Sequence, residues 1–183
     1  MNKRTAFVRK LVFISLCAAI IAICSLVSFP IGPIPVTLQT FAIALVGYFL
    51  GAKNGVIATI VYILIGAIGL PVFAGFKGGF AAIAGPTGGF LIGFILMALL
   101  CGIGTRYNKI FISLAFGILG LLACHIFGIA WFAILLSSKY SVWQAFLTAS
   151  APFLIKDIIS IAAAYSMARL LNKTINKDFI KNK

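Results

Sequence analysis

The stretch Leu11-Val12-Phe13-Ile14-Ser15-Leu16-Cys17-Ala18-Ala19-Ile20-Ile21-Ala22-Ile23-Cys24-Ser25-Leu26-Val27-Ser28-Phe29 decides the class of this protein. It carries no charge and is long enough to cross a bilayer, which takes about 20 apolar residues of helix. A secretory signal would have a shorter apolar core followed by a small-residue cleavage site. Ile23 before Cys24 is also wrong for lipoprotein processing. The stretch is therefore expected to be a retained first helix.

The remainder of the 183 residues follows the same pattern: 63% are hydrophobic and 9% charged, and the mean hydropathy is +1.19. Soluble domains run at about 25% charged and about 45–50% apolar. So little polar surface cannot cover so much apolar side chain, which excludes a soluble or disordered chain. Further apolar segments lie at 37–52, 55–70, 87–105, 110–136 and within 143–171. The expected fold is a single all-α integral membrane domain over residues 1–183, with six transmembrane helices. The second and third segments are short and separated only by Gly51-Ala52-Lys53-Asn54-Gly55, which predicts a tight helical hairpin.

The formal charge is +13, from 15 basic and 2 acidic residues. The basic residues flank apolar runs rather than forming a compact patch, so they read as topology signals and nucleic-acid binding is not expected. With the N-terminus in the cytoplasm, Lys77, Lys139 and Lys156 face outward. The other twelve, Lys53, Arg106, Lys109, Arg169, Lys177, Lys181 and Lys183 among them, face inward. Both termini are then cytoplasmic.

The chain has no G-x-x-x-x-G-K-[ST] loop, so it cannot hydrolyse ATP by that route and must draw energy from a gradient or a partner. H-E-x-x-H, G-x-S-x-G and paired carboxylates are likewise missing from the sequence, which argues against an enzyme. No metal or cofactor is expected. Cys17, Cys24, Cys101 and Cys124 lie inside apolar runs and read as small hydrophobes. Small residues recur every four positions at Ala18/Ala22, Gly47/Gly51/Gly55, Gly85/Gly89/Gly93, Gly120/Cys124/Gly128 and Ser160/Ala164/Ala168. Such stripes let helices approach closely, within the chain or against another membrane protein.

Three places can carry chemistry. The first outer loop, Phe29 to Gln39, holds Pro30, Pro33 and Pro35, which stiffen it. Thr37 can cap the second helix, and Gln39 then offers an amide in its first turn. The loop between helices three and four, Gly69 to Phe90, is apolar and rich in Gly and Phe. Non-helical backbone at membrane depth is tolerated where it is protein-buried or lines a cavity. Phe73, Phe76, Phe80 and Phe90 can wall such a cavity, with Lys77 nearby and Gly85, Thr87 and Gly88 exposing backbone. A helix predicted from Pro152 to Leu171 would set Asp157, the one acid of the membrane portion, near its N-terminus. Its plainer role is an ion pair with Lys156 or Lys77. His125 in the fifth segment reads as an interhelical hydrogen bonder, with Trp131 beyond it. Together these describe an outward pocket for a small, partly apolar ligand with N–H groups at one end and a carboxylate at the other.

These residues carry a family likeness. P-I-P-V-T-L-Q at Pro33–Gln39, Y-I-L-I-G-A-I-G-L-P-V-F at Tyr62–Phe73, G-P-T-G-G-F at Gly85–Phe90, the stretch from Gly128 to Trp131 and P-F-x-x-x-D at Pro152–Asp157 resemble the BioY family over nearly the whole chain. BioY proteins are the biotin-specific substrate-binding (S) components of energy-coupling factor (ECF) transporters. The resemblance implies six helices, capture of biotin from outside, and association with a transmembrane scaffold (T) subunit and two cytoplasmic ATPases. It implies Asp157 at the biotin ring and Ala18/Ala22 as the A-x-x-x-A face for the scaffold. Where the family has a lysine three residues after that acid, this chain has Ser160. Lys156, one helical turn before it, is the expected replacement. Two alternatives from other classes stand beside this: a proton-coupled secondary carrier using Asp157 and His125, and a non-transporting membrane scaffold.

Overall fold

The computed structural model describes residues 3–30 and 34–175. Ile31, Gly32 and Pro33 of the first outer loop, and Lys177, Lys181 and Lys183 of the charge count, lie outside the described residues. Helix α1 covers Lys3–Leu26, starting earlier than its apolar run and ending before Phe29. Two short strands, β1 (Ser28–Phe29) and β2 (Val36–Thr37), pair antiparallel with Ser28 opposite Thr37. There follow α2 (Gln39–Ala67), α3 (Phe80–Ala84), α4 (Gly88–Gly104), α5 (Ile110–Leu135), α6 (Val142–Ala149) and α7 (Leu154–Thr174).

Helix α2 is two helices in register. Gly51 has φ 76° and ψ 174°, a left-handed conformation that glycine adopts without a Cβ penalty. The chain reverses there. A Cβ on Gly55 would sit 3.0 Å from Gly47 Cα, although eight residues separate them. At the open end, Gln39 Nε2 donates to Tyr62 Oη at 2.8 Å. This is the expected hairpin, and with its two arms the long helical runs make six passages.

The last helix begins beside Pro152, as expected. A 3-10 turn, Ala151–Phe153, containing Pro152, separates it from the short α6, which the sequence did not indicate. Proline lacks the N–H that a continuing helix needs, so α7 starts at Leu154. Ser141 caps α6 with a reciprocal Gln144 bond.

Most glycine stripes are spent inside the chain. A Cβ on Gly93 would lie 2.6 Å from Cys124 Cα, and one on Gly120 would lie 3.0 Å from Met97 Cα, so α4 and α5 cross nearly backbone to backbone. Ser160, Ala164 and Ala168 are buried on α7. Ala18 is 1% exposed and packs in the core with Cys17 and Ile21, so it is not on an outward face; Ala22 beside it is half-buried. Large apolar side chains such as Phe111, Ile134 and Leu170 cover the exterior, as lipid contact requires. The connections fall at two ends. Gly102 packs on the Gly51–Ala52 turn, and Ser113 Oγ donates to Gly104 O. At the other end, Gly75 N donates to Ser28 Oγ, joining β1 to the loop between α2 and α3.

Candidate functional site

At that second end lies a cavity of about 650 Å³, including its mouth. Residues Ile34, Pro35 and Thr37 close one side. Gln39 and Thr40 come from the first turn of α2, Phe73 and Ala74 from the long loop, and Thr87, Phe90, Leu91 and Phe94 from α4 and its approach. Leu121, Cys124 and His125 of α5, Ala149, Phe153, Lys156 and Asp157 complete it.

Both aromatic walls stand on glycines. A Cβ on Gly66 would fall inside the Phe73 ring, and one on Gly128 inside the Phe90 ring. Phe73 is further held by main-chain bonds with Lys77 (2.9 and 3.3 Å) and by the edge of Tyr62. The small residues of the Tyr62–Phe73 motif thus create a slot for its last residue.

The polar groups form two clusters. In the first, Thr37 is extended in β2 rather than capping; Leu38 holds the N-cap position. Its hydroxyl still accepts from Gln39 N (3.3 Å) and donates to Gln39 Oε1 (3.1 Å). Gln39 Nε2 donates to Tyr62 Oη, which donates to Ser25 Oγ at 3.1 Å. Tyr62 and Ser25 are fully buried, so the amide of Gln39 has a fixed orientation and retains one N–H and one lone pair.

The second cluster centres on Asp157, 4% exposed. Its Oδ2 lies 3.3 Å from His125 Nε2, and its Oδ1 lies 2.5 Å from Lys156 Nζ. Neighbouring helical side chains diverge, but the long lysine stem curls back over the carboxylate. Lys156 Nζ also donates to Thr37 O at 2.9 Å. Oδ1 is buried against the Lys156 ammonium, and the Thr40 hydroxyl also stands against the carboxylate. A buried carboxylate is costly unless donors face it, and here His125, Lys156 and Thr40 do so.

Of the residues singled out from sequence, Thr37, Gln39, Phe73, Thr87, Phe90, Lys156 and Asp157 line this cavity together. Six do not. Phe76 is 68% exposed, at φ 56° on the tip of the loop, Phe80 at the start of α3 is 75% exposed, and Lys77 beside Phe76 is exposed, its backbone serving Phe73. Gly85 accepts a hydrogen bond from Trp131 Nε1 at 2.9 Å, and Gly88 packs under Ile83 and Trp131. These three hold the loop against α5 from behind the wall. The reason is geometric: Gly85 and Gly88 are committed to close packing, leaving no backbone free to face a ligand. Sequence reasoning missed Thr40, Phe94, Phe153 and Ser150. Thr40 was detectable as a polar residue beside Gln39 in the first turn of α2; Phe153 and Ser150 are placed by the helix break.

Fold and cavity define a polytopic membrane protein with a small-molecule site enclosed at one end of its helix bundle. The BioY family model matches residues 1–177, and the chain belongs to the BioY family. It is similar to the probable biotin transporter BioY of Pyrococcus horikoshii, 38% identical over 161 residues covering 86% of this chain and 94% of that one. It is similar to the biotin transporter BioY of Thermotoga maritima, 38% identical over 166 residues covering 90% and 96%. Among solved structures it resembles the S-component for biotin from an ECF-type ABC transporter, with TM-score 0.84, 28% identity, and coverage of 94% of this chain and 95% of that one. The chain is accordingly a multi-pass cell-membrane transporter component and not an enzyme.

Proposed function

We propose that the chain captures biotin at the outer membrane face, as the S component of an ECF-type transporter. One observation carries the binding site: the buried Asp157 carboxylate stands at the wall of a Phe-lined cavity, in a chain of the BioY family. The ureido N–H groups of biotin donate to that carboxylate. Phe73, Phe90 and Phe94 pack the thiolane ring and the aliphatic tail. Gln39 adds one donor and one acceptor, while Lys156 offers its remaining N–H groups to the ligand carboxylate. The charge asymmetry along the chain puts both termini in the cytoplasm, so the cavity opens outward.

With no phosphate loop of its own, the chain would draw ATP-driven transport from the T subunit and the two ATPases. The docking element is α1, through Ala22 and the exposed small residues Ser15 and Ala19 rather than through buried Ala18. The carrier alternative finds little support. His125 and Asp157 bond to each other at one end of the bundle, and no other Asp, Glu, His, Lys or Arg is buried among the described residues to continue a relay.

The test is a biotin titration of the purified chain against intrinsic fluorescence, wild type beside Asp157→Asn. Saturable nanomolar binding, weakened at least about tenfold in the variant (about 1.4 kcal/mol), supports the site. Folded wild-type protein that binds no biotin ends the reading.

A further inference from the structure

His125 is fully engaged, yet the capture described above does not use it. It is 5% exposed on α5, and both ring nitrogens are engaged. Nε2 faces Asp157 Oδ2 at 3.3 Å, and Nδ1 lies 2.8 Å from Ser150 Oγ. Its partners stand on opposite sides of the Ala151–Phe153 turn, one ending α6 and the other opening α7. One imidazole therefore bridges the break that Pro152 imposes on the chain. The ring plane is fixed by Phe90, edge-on at 6.0 Å and 89°.

The chemistry of the partners sets the protons. An ionised carboxylate only accepts, and a neutral imidazole has one donor and one acceptor. Nε2–H therefore donates to Oδ2, and Nδ1 is bonded to the Ser150 hydroxyl. This divides the carboxylate: Oδ2 faces His125 and Oδ1 faces Lys156 at the cavity wall. The terminal torsion of an aspartate is broad and nearly two-fold, so without the imidazole nothing holds Oδ2 and the carboxylate plane can turn about Lys156.

We propose that His125 is the positioning residue for Asp157, fixing the plane in which the carboxylate meets the ligand, with Ser150 as the second anchor of the ring. This rests on the biotin reading, with Asp157 as acceptor. A positioning role makes His125 and Asp157 act as one unit, whereas a packing role makes their effects independent.

The experiment is a double-mutant cycle on biotin affinity. His125→Phe keeps the ring volume and loses both bonds; it is expected to weaken binding at least about tenfold, or about 1.4 kcal/mol. In the Asp157→Asn background the same change is expected to cost less than about twofold. His125→Gln, which restores a donor towards Oδ2, recovers most of the affinity. Ser150→Ala runs the same cycle with a milder change, should His125→Phe fail to fold. Wild-type binding that is insensitive to His125, or effects of His125→Phe and Asp157→Asn that multiply in full, would overturn the proposal while leaving biotin capture standing. Folded wild type without biotin binding would remove both.

Discussion

The ammonium of Lys156, in the first turn of the last helix, donates to the backbone carbonyl of Thr37 across 119 residues of sequence, at 2.9 Å. One side chain thus closes the rim of the cavity and compensates Asp157 within it. In the proposed biotin site, its position a turn before Ser160 would make it a strap over the ligand as well as the cation beside it.

Lys156→Ala is therefore expected to release biotin faster. A hydrogen bond to a charged group contributes about 1.5–3 kcal/mol, discounted here because the side chain is 29% exposed. An off-rate about tenfold higher follows, from roughly 1.4 kcal/mol. Stopped-flow displacement measures it. An alanine variant with the wild-type off-rate would deny Lys156 both roles, while Lys156→Arg should stay close to wild type.

Tyr62→Phe deletes a single oxygen from the buried chain that orients Gln39. It leaves the Gln39 amide and the Ser25 hydroxyl unpartnered, at about 1–3 kcal/mol for a buried polar group. A lower unfolding midpoint in detergent and weaker biotin binding are expected together. If the midpoint falls and the affinity holds, Gln39 is structural and does not meet the ligand.

Gly66→Ala and Gly128→Ala each push a methyl into an aromatic wall, Phe73 and Phe90 respectively. Overpacking of this kind costs about 1–3 kcal/mol. Both variants should bind biotin poorly. Combining Gly66→Ala with Phe73→Leu should restore thermal stability without restoring affinity, and recovery of both would show that the Phe73 ring contributes nothing to binding.

The two tryptophans should report differently. Trp131 is half-buried and bonded to Gly85 behind the cavity wall, whereas Trp143 is 66% exposed on α6. Trp143→Phe is expected to keep the biotin-induced fluorescence change and Trp131→Phe to lose most of it. The reverse pattern would place the ligand near α6.

Much of this was legible in the chain. The apolar runs gave the number of passages, and the Gly51–Gly55 interruption gave the hairpin, because both follow from local composition. Asp157, Lys156, Gln39 and Thr37 stood out as polar groups in apolar context. What the sequence did not show was direction. The loop glycines Gly85 and Gly88 looked like ligand-facing backbone, yet they pack against Trp131. Phe76 looked like a wall, yet positive φ at the loop tip turns it outward. Ala18 carries the family's scaffold pattern, yet it faces inward. Pro152 marked the start of α7, but that Ser150 and Asp157 on its two sides meet one imidazole depends on tertiary contacts that no periodicity records.

The reversal at Gly51 has a consequence for the lipid around this protein. At 1.5 Å per residue, the arms 39–50 and 52–67 reach about 18 and 24 Å, while the hydrocarbon layer is about 30 Å thick. Helices α1 and α5, at 24 and 26 residues, are long enough to cross it. The first arm is buried from Ala42 to Leu50 and needs no lipid match, but the second exposes Ile60 and Leu64; the bilayer must thin beside it or the bundle must lean. Membrane thickness becomes a variable that acts on this chain, favouring thinner bilayers and an inclined seat within them.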